Sequence, residues 1–468
     1  MSGVYPTMDP MTDSPDPRET AGSAVETVVD AEDRAAIDAA AEAEKPGWRR
    51  RTALFLTGQT VSLFGSMLVQ YAVMWYLTLT TKDGTVMALS TVFGFLPQAI
   101  VSIFGGVWAD RHNRKLLIMG ADASIAVATL TLAILMMQGT NDLWLIYAAL
   151  AVRSTGAGIQ TPAVGALLPQ IVPTNKLLRI NGINQTIQAG MMLLAPAVAA
   201  ALYANFAIEM IFFVDVVTAV AGIGLLALIP VATIRQAGVA VTGYFEDLRE
   251  GVRYIAGHAF VRWLMGLYAF VMVLAAAPSF LTPLMVARSF GEEPWKLMTL
   301  ELAFSVGMMA AGATVAVWGE KFDRITLIMA SAVAFGVLSI GLGLSPNLWV
   351  FFFFMFLVGV TVPAFSTPSM TALQETVEPE RQGRVFGFLG IVSAVAMPLG
   401  MVVFGPLANV WTVQTVLVIS GVATFVVAIL ALALPGGKRA IAAARAHGAG
   451  SQKVGIPADT ASGTADGP

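Results

Sequence analysis

The chain has 468 residues, of which 56% are hydrophobic and only 12% are charged. So few charged residues cannot cover a soluble globule of this length, and the mean hydropathy of +0.74 also excludes an ordinary soluble protein. The absence of cysteine excludes disulfides and thiolate metal sites, and the three histidines are too scattered to form a ligand cluster. We therefore expect no metal, no cofactor and no nucleic-acid partner.

The two ends of the chain differ in composition from its middle. Residues 1–50 are rich in Asp, Glu, Ala, Pro and Ser and contain no apolar stretch of the kind that a signal peptide needs. They predict a disordered cytoplasmic tail. Residues 436–468 are similarly small, polar and unpatterned, and they predict a second cytoplasmic tail.

Twelve apolar stretches lie between these tails. Each can cross a hydrocarbon layer of roughly 30 Å, which takes about 20 residues. The predicted spans are 52–80, 86–109, 116–138, 142–169, 182–204, 208–230, 260–284, 298–318, 325–344, 347–374, 384–407 and 411–435. The sequence thus predicts an all-α membrane protein with twelve transmembrane helices, surrounded by a lipid bilayer.

Basic residues are concentrated in every second loop and at the two flanks of the apolar region. The opposite loops carry only Lys82, Arg288 and Lys296. Cytoplasmic loops of membrane proteins carry an excess of Lys and Arg, and an even number of crossings places both termini on one side. We therefore expect both termini in the cytoplasm.

The longest interior loop, residues 231–259, divides the chain into two sets of six spans, at 51–230 and 260–435. Four apolar residues recur in this loop at helical spacing among charged ones: Phe245, Leu248, Val252 and Ile255. The pattern predicts an amphipathic helix on the inner surface. A linker that covers the bundle is the simpler interpretation, and a regulatory helix is the alternative.

The two halves resemble each other in sequence. The segment 106–111 has a counterpart at 319–324, and Thr161 with Pro162 is echoed by Thr367 with Pro368. The offsets of 213 and 206 residues agree closely enough to indicate an internal duplication. Two six-helix repeats facing each other enclose a cleft, and that geometry suits alternating access.

The loop between the second and third spans carries the most specific motif. It contains Gly106, Asp110, Arg111, Arg114 and Lys115. These residues match the motif that the major facilitator superfamily writes Gly-x-x-x-Asp-Arg-x-Gly-Arg-Arg/Lys. Asn113 replaces a glycine, and Asn tolerates the left-handed backbone expected at this turn.

The chain therefore resembles the major facilitator superfamily over residues 51–435. The resemblance implies that Asp110 pairs with basic groups and helps to hold the cytoplasmic side closed. The counterpart of this gate motif in the second half includes Asp323 and Arg324.

The fourth span contains Arg153, followed by glycines at 156 and 158. This stretch is partly similar to an arginine-and-glycine motif of proton-coupled drug exporters. Arg153 lies near the membrane midplane, where an isolated cation costs from about 2.5 to above 10 kcal/mol. It should therefore face the cleft with an acidic partner or water. One interpretation is proton coupling or substrate contact, and the other is a structural ion pair.

Three acidic residues lie within the spans and are the candidate partners and proton carriers: Asp122, Asp215 and Glu301. Asp122 is two turns past Lys115, so we expect it to pair with the motif loop. Asp215 has apolar neighbours and is interpreted either as a proton carrier or as a buried hydrogen-bonding residue. Glu301 is interpreted as interfacial, or as a carboxylate that attracts a cationic substrate.

Polar side chains within the other spans should point into the cleft, because they are costly in lipid. The candidates for its lining are Gln59, Gln98, Gln160, Gln185, Gln188 and Thr367. Helix–helix hydrogen bonds are the alternative role for each of them. A cleft with few charges suits large amphiphiles better than phosphorylated metabolites or sugars.

Two further stretches, at 245–255 and 379–387, are similar to the subgroup that contains macrolide-efflux proteins and the enterobactin exporter. The resemblance implies a monomeric proton-coupled exporter of macrolide-type or multidrug amphiphiles in a bacterial inner or plasma membrane. The alternatives are an exporter of siderophores or other metabolites and a proton-coupled importer. An enzyme is not expected, because the sequence offers no nucleophile set, metal cluster or phosphate loop.

Overall fold

The computed structural model describes residues 45–231, 244–435, 437–439 and 441, and within them the chain is helical. The α-helices are α1 (Trp48–Thr81), α2 (Gly84–Arg111), α3 (Arg114–Met137), α4 (Leu143–Ile171), α5 (Leu177–Asn205), α6 (Ile208–Ala227), α7 (Tyr244–Gly257), α8 (Ala259–Phe280), α9 (Thr282–Ser289), α10 (Pro294–Trp318), α11 (Arg324–Gly343), α12 (Leu348–Thr376), α13 (Pro379–Val410) and α14 (Val413–Ala433). Most of both predicted tails lies outside the described residues.

Twelve crossing segments account for all of these helices except α7, with α8 and α9 forming one segment together. Eleven of the segments are both long and apolar enough to span a membrane. The remaining one, α4, has 29 residues but contains Arg153 and a run of small polar neighbours, which lower its hydropathy. The predicted all-α fold with twelve transmembrane helices in two six-helix bundles is confirmed.

The predicted linker helix is α7, which begins at Tyr244 and ends at Gly257. The apolar side chain of Ile255 is buried in the core of the second half, whereas Val252 is 43% exposed. The surroundings of Phe245 and Leu248 lie outside the described residues.

The seventh crossing is interrupted by two prolines, which separates α8 from α9. Pro278 cannot donate a hydrogen bond to the carbonyl oxygen of Leu274, four residues earlier. The hydroxyl of Ser420 in α14 donates to that oxygen instead, at 2.6 Å. The side chain of a neighbouring helix thus satisfies the backbone group that proline frees, as a membrane-spanning segment requires.

The two ends of the bundle are packed differently. We call the end formed by the loops after α2, α4, α6, α10 and α12 the basic face, and the other end the opposite face. Near the opposite face one apolar core contains residues of both halves, including Trp75 and Phe351. Near the basic face each half has its own core, around Leu167 in the first half and Leu264 in the second. The halves are therefore joined at the opposite face, and their cores separate towards the basic face.

The halves are joined mainly by two helix pairs, α2 with α13 and α5 with α10, and α1 also contacts α9. In the first pair, a Cβ atom at Gly84 or at Gly405 would overlap the carbonyl oxygen of the other residue. Glycine is therefore needed at both positions for the backbones to approach this closely. In the second pair, the Ser305 hydroxyl donates to the carbonyl oxygen of Met192 at 3.3 Å.

Candidate functional site

A buried ion pair between Arg153 of α4 and Asp215 of α6 lies within the first half. The Nη1 atom of Arg153 is 2.5 Å from Oδ2 of Asp215, and their side chains are 10% and 0% exposed. The hydroxyls of Ser66 and Thr129 donate to the same carboxylate at 3.2 and 3.1 Å. The expectation that Arg153 has an acidic partner is confirmed, and among the three candidates that partner is Asp215.

Arg153 has two further acceptors. Its Nη2 atom donates to the carbonyl oxygen of Ser66 at 3.2 Å, and its Nη1 atom also contacts the Thr129 hydroxyl. A planar guanidinium can satisfy several acceptors at once, which a lysine ammonium on a flexible stem does not reproduce. The contacts of Arg153 therefore depend on the planar shape of its guanidinium group as well as on its charge.

Asp122 of α3 lies beside this pair with a different set of contacts. Its Oδ1 atom accepts hydrogen bonds from the Ser62 hydroxyl at 3.3 Å and from Nε2 of Gln160 at 2.5 Å. Its Oδ2 atom is buried, and no hydrogen-bond partner lies within the described residues. The expected pairing of Asp122 with the motif loop is wrong, because its side chain faces α1 and α4 and not the loop.

Ser62 and Ser66 are one helical turn apart on α1, so the same face of that helix contacts both carboxylates. The two carboxylates are also close enough to interact electrostatically. Asp122, Arg153 and Asp215 therefore form one connected polar cluster, which we call the coupling cluster.

The glycines that follow Arg153 bring α4 close to its neighbours. A Cβ atom at Gly156 would lie 2.7 Å from Cγ1 of Ile125 in α3, and one at Gly158 would lie 2.9 Å from the carbonyl oxygen of Gln98 in α2. Both distances are shorter than real contacts allow. The spacing of these glycines thus serves close packing around the coupling cluster.

A cavity of about 250 Å³ opens beside the coupling cluster, and we call it the N-half cavity. Arg153 lines it together with Ser66, Gln70, Gln98 and Gln160. Of the six predicted cleft residues, Gln98 and Gln160 line this cavity. The other four lie outside its lining: Gln59 is half-buried, and Gln185, Gln188 and Thr367 are exposed.

A second cavity, of about 340 Å³, lies within the other half, and we call it the C-half cavity. Its wall consists mainly of aromatic, aliphatic and methionine side chains, and Glu301 of α10 is the acidic residue among them. The side chain of Glu301 faces this cavity, and its position at the membrane interface stays a prediction. The cavity leaves no clear signal in the sequence, since most of its apolar lining has the composition of any membrane helix.

Two basic residues of the gate motif, Arg114 and Lys115, bind neighbouring helices near their C-terminal ends. Arg114 donates from Nη1 to the carbonyl oxygen of Ala166 in α4 at 2.9 Å. Lys115 donates to the carbonyl oxygens of Ala227 and Ile229, at the end of α6, at 2.7 and 2.8 Å. A cation at a helix C-terminus satisfies free carbonyl groups and is favoured by the helix dipole.

For the remaining residues of the motif, the structure describes the surroundings of some side chains and not of others. Asn113 caps α3 by accepting a hydrogen bond from Leu116 N, with φ of −66°. The expected left-handed backbone at Asn113 is therefore wrong, and its amide has a capping role instead. Arg111 is exposed. Gly106 and Asp110 lie in α2, and their side-chain surroundings lie outside the described part of the chain.

The second half repeats part of this arrangement. Arg324, at the start of α11, binds both carboxylate oxygens of Glu375 in α12 at 2.7 and 2.5 Å. Asp323 caps α11 by accepting from the backbone nitrogen of Thr326 at 3.2 Å. Both copies of the motif thus fix the third helix of their half to the end of the fourth.

The opposite face is closed by a polar network between the halves. Arg288 donates to the carbonyl oxygen of Lys82 at 3.0 Å and to Oδ1 of Asn409 at 2.8 Å. Asn409 donates to Asp83 at 2.7 Å, and Lys82 forms an ion pair with Glu292. The pKa of Asp83 is lowered: burial raises it, but hydrogen bonds from Asn409, Val86 and Thr85 together outweigh that effect.

Two of the three exceptions to the charge bias, Lys82 and Arg288, belong to this network. The third, Lys296, forms an ion pair with Glu293 at 2.6 Å and also contacts the carbonyl oxygen of Phe290. The sequence signal for the network was therefore present, as isolated cations next to acidic residues in loops that otherwise lack basic ones.

Related sequences share most of this chain. Macrolide efflux protein A of Streptococcus pyogenes is 32% identical over 394 residues, which cover 82% of this chain and 95% of the relative. The protein of the same name from Enterococcus faecalis is 33% identical over 68% of this chain and all of the relative. An uncharacterised transporter of the same superfamily from Bacillus subtilis, YvqJ, is 24% identical over 82% of this chain.

Solved structures share the fold at lower identity. A nucleoside transporter superimposes with a TM-score of 0.65 at 15% identity, covering 82% of this chain and 99% of that one. A D-xylose–proton symporter does so with a TM-score of 0.63 at 14% identity, covering 83% and 98%. The family described as transmembrane secretion effector matches residues 50–465. The chain thus belongs to this family of major facilitator transporters, and it is a multi-pass membrane transporter rather than an enzyme.

Proposed function

We propose that this protein exports amphiphilic compounds of the macrolide type in exchange for protons, by alternating access. The observation that carries the proposal is the coupling cluster, in which a buried Arg153–Asp215 ion pair adjoins a second buried carboxyl group. Ionisable groups at membrane depth are costly and mark proton or substrate pathways. The macrolide efflux relatives support the substrate class and the outward direction.

Asp122 carries the exchanged proton in this proposal, and Asp215 remains paired with Arg153. Asp215 has a permanent cation and two hydroxyl donors that stabilise its charge. Asp122 has no such cation, and one of its oxygens is buried without a donor in the described structure. A charged Asp122 leaves that oxygen unsatisfied, whereas a protonated carboxyl group avoids much of this penalty.

Protonation also changes the contacts that Asp122 makes. Deprotonated, it is an acceptor for Ser62 and Gln160; protonated, one of its oxygens becomes a donor. Since Ser62 shares a helix face with Ser66, the change reaches the helix that contacts Asp215. The proton thereby alters the packing of α1 against α4 and α6, which biases the two states of the transporter.

The membrane orientation follows from the charge distribution. We propose that the basic face lies in the cytoplasm, with both termini on that side of a bacterial plasma membrane. The conformation, joined at the opposite face and separated at the basic face, is then open to the cytoplasm, where an exporter collects its substrate. The latch role of Asp110 applies to the other state, in which the basic face closes.

Reconstitution with an imposed pH gradient tests the proposed function. Purified protein in vesicles, with the basic face outside, should accumulate a labelled macrolide inside when the vesicle interior is acidic. Dyes and siderophores, screened in parallel, distinguish a macrolide exporter from an exporter of other metabolites. Accumulation driven by the reverse gradient would indicate proton symport and thus an importer, and movement independent of the gradient would refute proton coupling.

A further inference from the structure

The C-half cavity combines an apolar wall with one carboxylate. Rings from α8, α10, α11 and α12 face it, namely Tyr268, Phe304, Phe335 and Phe365. Met272, Met355 and Met397 add polarisable thioethers to the same wall. Such a lining favours a large apolar group, and the aromatic faces also attract cations.

Glu301 differs from the other two membrane carboxylates in its contacts. Asp215 has Arg153, and Asp122 has two hydrogen-bond donors, whereas Glu301 forms no hydrogen bond or ion pair within the described residues. The residues that line the cavity include no Lys, Arg or His. A charged Glu301 in this setting therefore lacks a protein cation, and a ligand cation would supply the missing charge.

The hydroxyl groups around the cavity do not supply a positive charge to balance Glu301. Thr282 donates to the carbonyl oxygen of Pro278, and Thr361 donates to that of Val358. The Tyr268 hydroxyl accepts from Ser393 at 3.2 Å. The hydroxyl groups of the lining are neutral, so the carboxylate is the feature that a charged ligand can recognise.

Glu301 lies beside the interface between the halves. Ser305, one helical turn further along α10, contacts Met192 of the first half. Tyr71 of α1 is also close enough to Glu301 for an electrostatic interaction. The carboxylate thus lies on the side of α10 that faces the other half.

We propose that the C-half cavity binds the ammonium group of a cationic amphiphile, with Glu301 as its counter-ion. The inference deepens the proposed function and rests on it for the substrate class. At about 340 Å³ the cavity is at the low end of ligand sites, which span roughly 300–1,000 Å³. It accommodates an amine-bearing substituent, while the bulk of a macrocycle remains in the cleft.

Equilibrium binding to the purified protein tests this site without any gradient. The probes are a labelled macrolide with a basic dimethylamino group and its N-demethyl-N-acetyl derivative, which keeps the ring but carries no charge. Glu301→Gln should weaken binding of the cationic macrolide by about tenfold or more and leave the neutral derivative unaffected. Glu301→Asp, which keeps the charge but shortens the side chain, should fall between the wild type and Glu301→Gln.

Glu378→Gln is the matched control, because Glu378 is an exposed carboxylate at the basic face, away from the cavity. It should bind both compounds as the wild type does. Retained binding of the neutral derivative shows that Glu301→Gln is folded. Equal losses for both compounds, an unchanged affinity of Glu301→Gln for the cation, or a wild type that does not prefer the cation would each overturn the proposal.

The binding assay also separates this inference from the proposed function. If Glu301-dependent binding of the cation is found but no pH gradient drives transport, the cavity assignment stands and proton exchange fails. If proton-driven export is found and Glu301→Gln binds the cation normally, the export proposal stands and the cavity assignment fails.

Discussion

The N-half cavity lies among α1 to α4, and the C-half cavity lies among the corresponding helices of the second repeat, yet their linings differ in kind. The first has Arg153, glutamines and serines, whereas the second has aromatic rings, methionines and Glu301. The offset of 206 residues that relates Thr161 to Thr367 relates Arg153 to Gly359. Two similar helical frames thus carry different chemistry, through different residues at corresponding positions.

The two halves thus differ in the roles that their polar residues suit. In the first half Arg153 pairs with Asp215, and Asp122 beside them accepts hydrogen bonds from Ser62 and Gln160, which suits a group that exchanges a proton and changes its hydrogen bonds. In the second half the carboxylate faces an apolar cavity without a protein cation, which suits a bound organic cation. The following predictions test this division and the closure of the two faces.

Removal of the Arg153 side chain should have the largest effect. Arg153→Ala leaves Asp215 as a buried carboxylate without its cation, and Arg153→Lys restores the charge without the planar contacts. Both variants should lower pH-driven export by about tenfold or more, because alanine removes the contacts of the guanidinium and an ammonium cannot hold Asp215 and the carbonyl oxygen of Ser66 in the same planar geometry. Arg179→Ala, at an exposed arginine of α5, is the control and should transport normally. Full activity of Arg153→Lys would show that only a positive charge is needed.

The second prediction separates the two carboxylates of the coupling cluster. Asp122→Asn mimics a permanently protonated group, so it should bind substrate and exchange it down its gradient but lose accumulation against one. Asp215→Asn should lose counterflow as well, because it leaves Arg153 without its partner. Counterflow and pH-driven uptake are compared in the same vesicles.

Asp142→Asn is the matched control for these substitutions, since Asp142 is exposed and makes no side-chain cap of α4. It should behave as the wild type in both assays. If Asp215→Asn loses accumulation alone and Asp122→Asn transports normally, the proton role passes to Asp215.

The third prediction concerns the gate motif. Asp110→Asn keeps the size of the side chain but removes the charge proposed to hold the basic face closed. Turnover should fall severalfold while equilibrium binding persists, because binding occurs in the state that is open at the basic face. Binding and initial export rates are measured in parallel, and an unchanged rate would refute the latch assignment.

The smallest expected effect is at the opposite face. Asn409→Ala removes a donor to Asp83 and an acceptor for Arg288 at an exposed network, where single hydrogen bonds contribute about 0.5–1.5 kcal/mol. The state in which the opposite face is closed should become severalfold less populated. Since the chain contains no cysteine, a single cysteine at buried Ala88 reports opening through labelling by an impermeant maleimide. If labelling does not increase, the network does not stabilise the closed opposite face.

The pH dependence of this closure follows from Asp83. Its pKa is lowered in the closed state, so the stabilisation is present above the ordinary pKa and is lost as pH falls through the lowered one. Labelling of the Ala88→Cys reporter should therefore stay low from neutral to mildly acidic pH and rise only in strong acid. A rise in labelling at mildly acidic pH would show that a titratable group other than Asp83 controls the closure.

The fold could be predicted from the sequence because its determinants are local. Span length, the alternation of basic loops and the duplicated motif are all properties of short segments, and they sufficed for the twelve helices. The sequence could not identify Asp215 as the partner of Arg153. The two residues are 62 positions apart, and their contact depends on how α4 packs against α6.

The sequence does not show in which direction a side chain points from its helix, and this was the main limit of the prediction. Lys115 and Asp122 are two turns apart on α3, yet Lys115 reaches the end of α6 while Asp122 faces α1 and α4. Spacing alone placed them near each other and suggested a contact that the helix does not make. The opposite-face network was missed for a related reason, since Asp83 and Asn409 are 326 residues apart.

The central claim is that substrate leaves as a proton enters through the coupling cluster, and proton movement itself tests it most directly. Internal pH is recorded in vesicles with an internal dye while a saturating macrolide gradient is imposed across the membrane. The account predicts that macrolide flow drives protons in the opposite direction and that Asp122→Asn abolishes this proton flow but not macrolide exchange. Macrolide flow without proton movement, or with protons moving in the same direction, would contradict it.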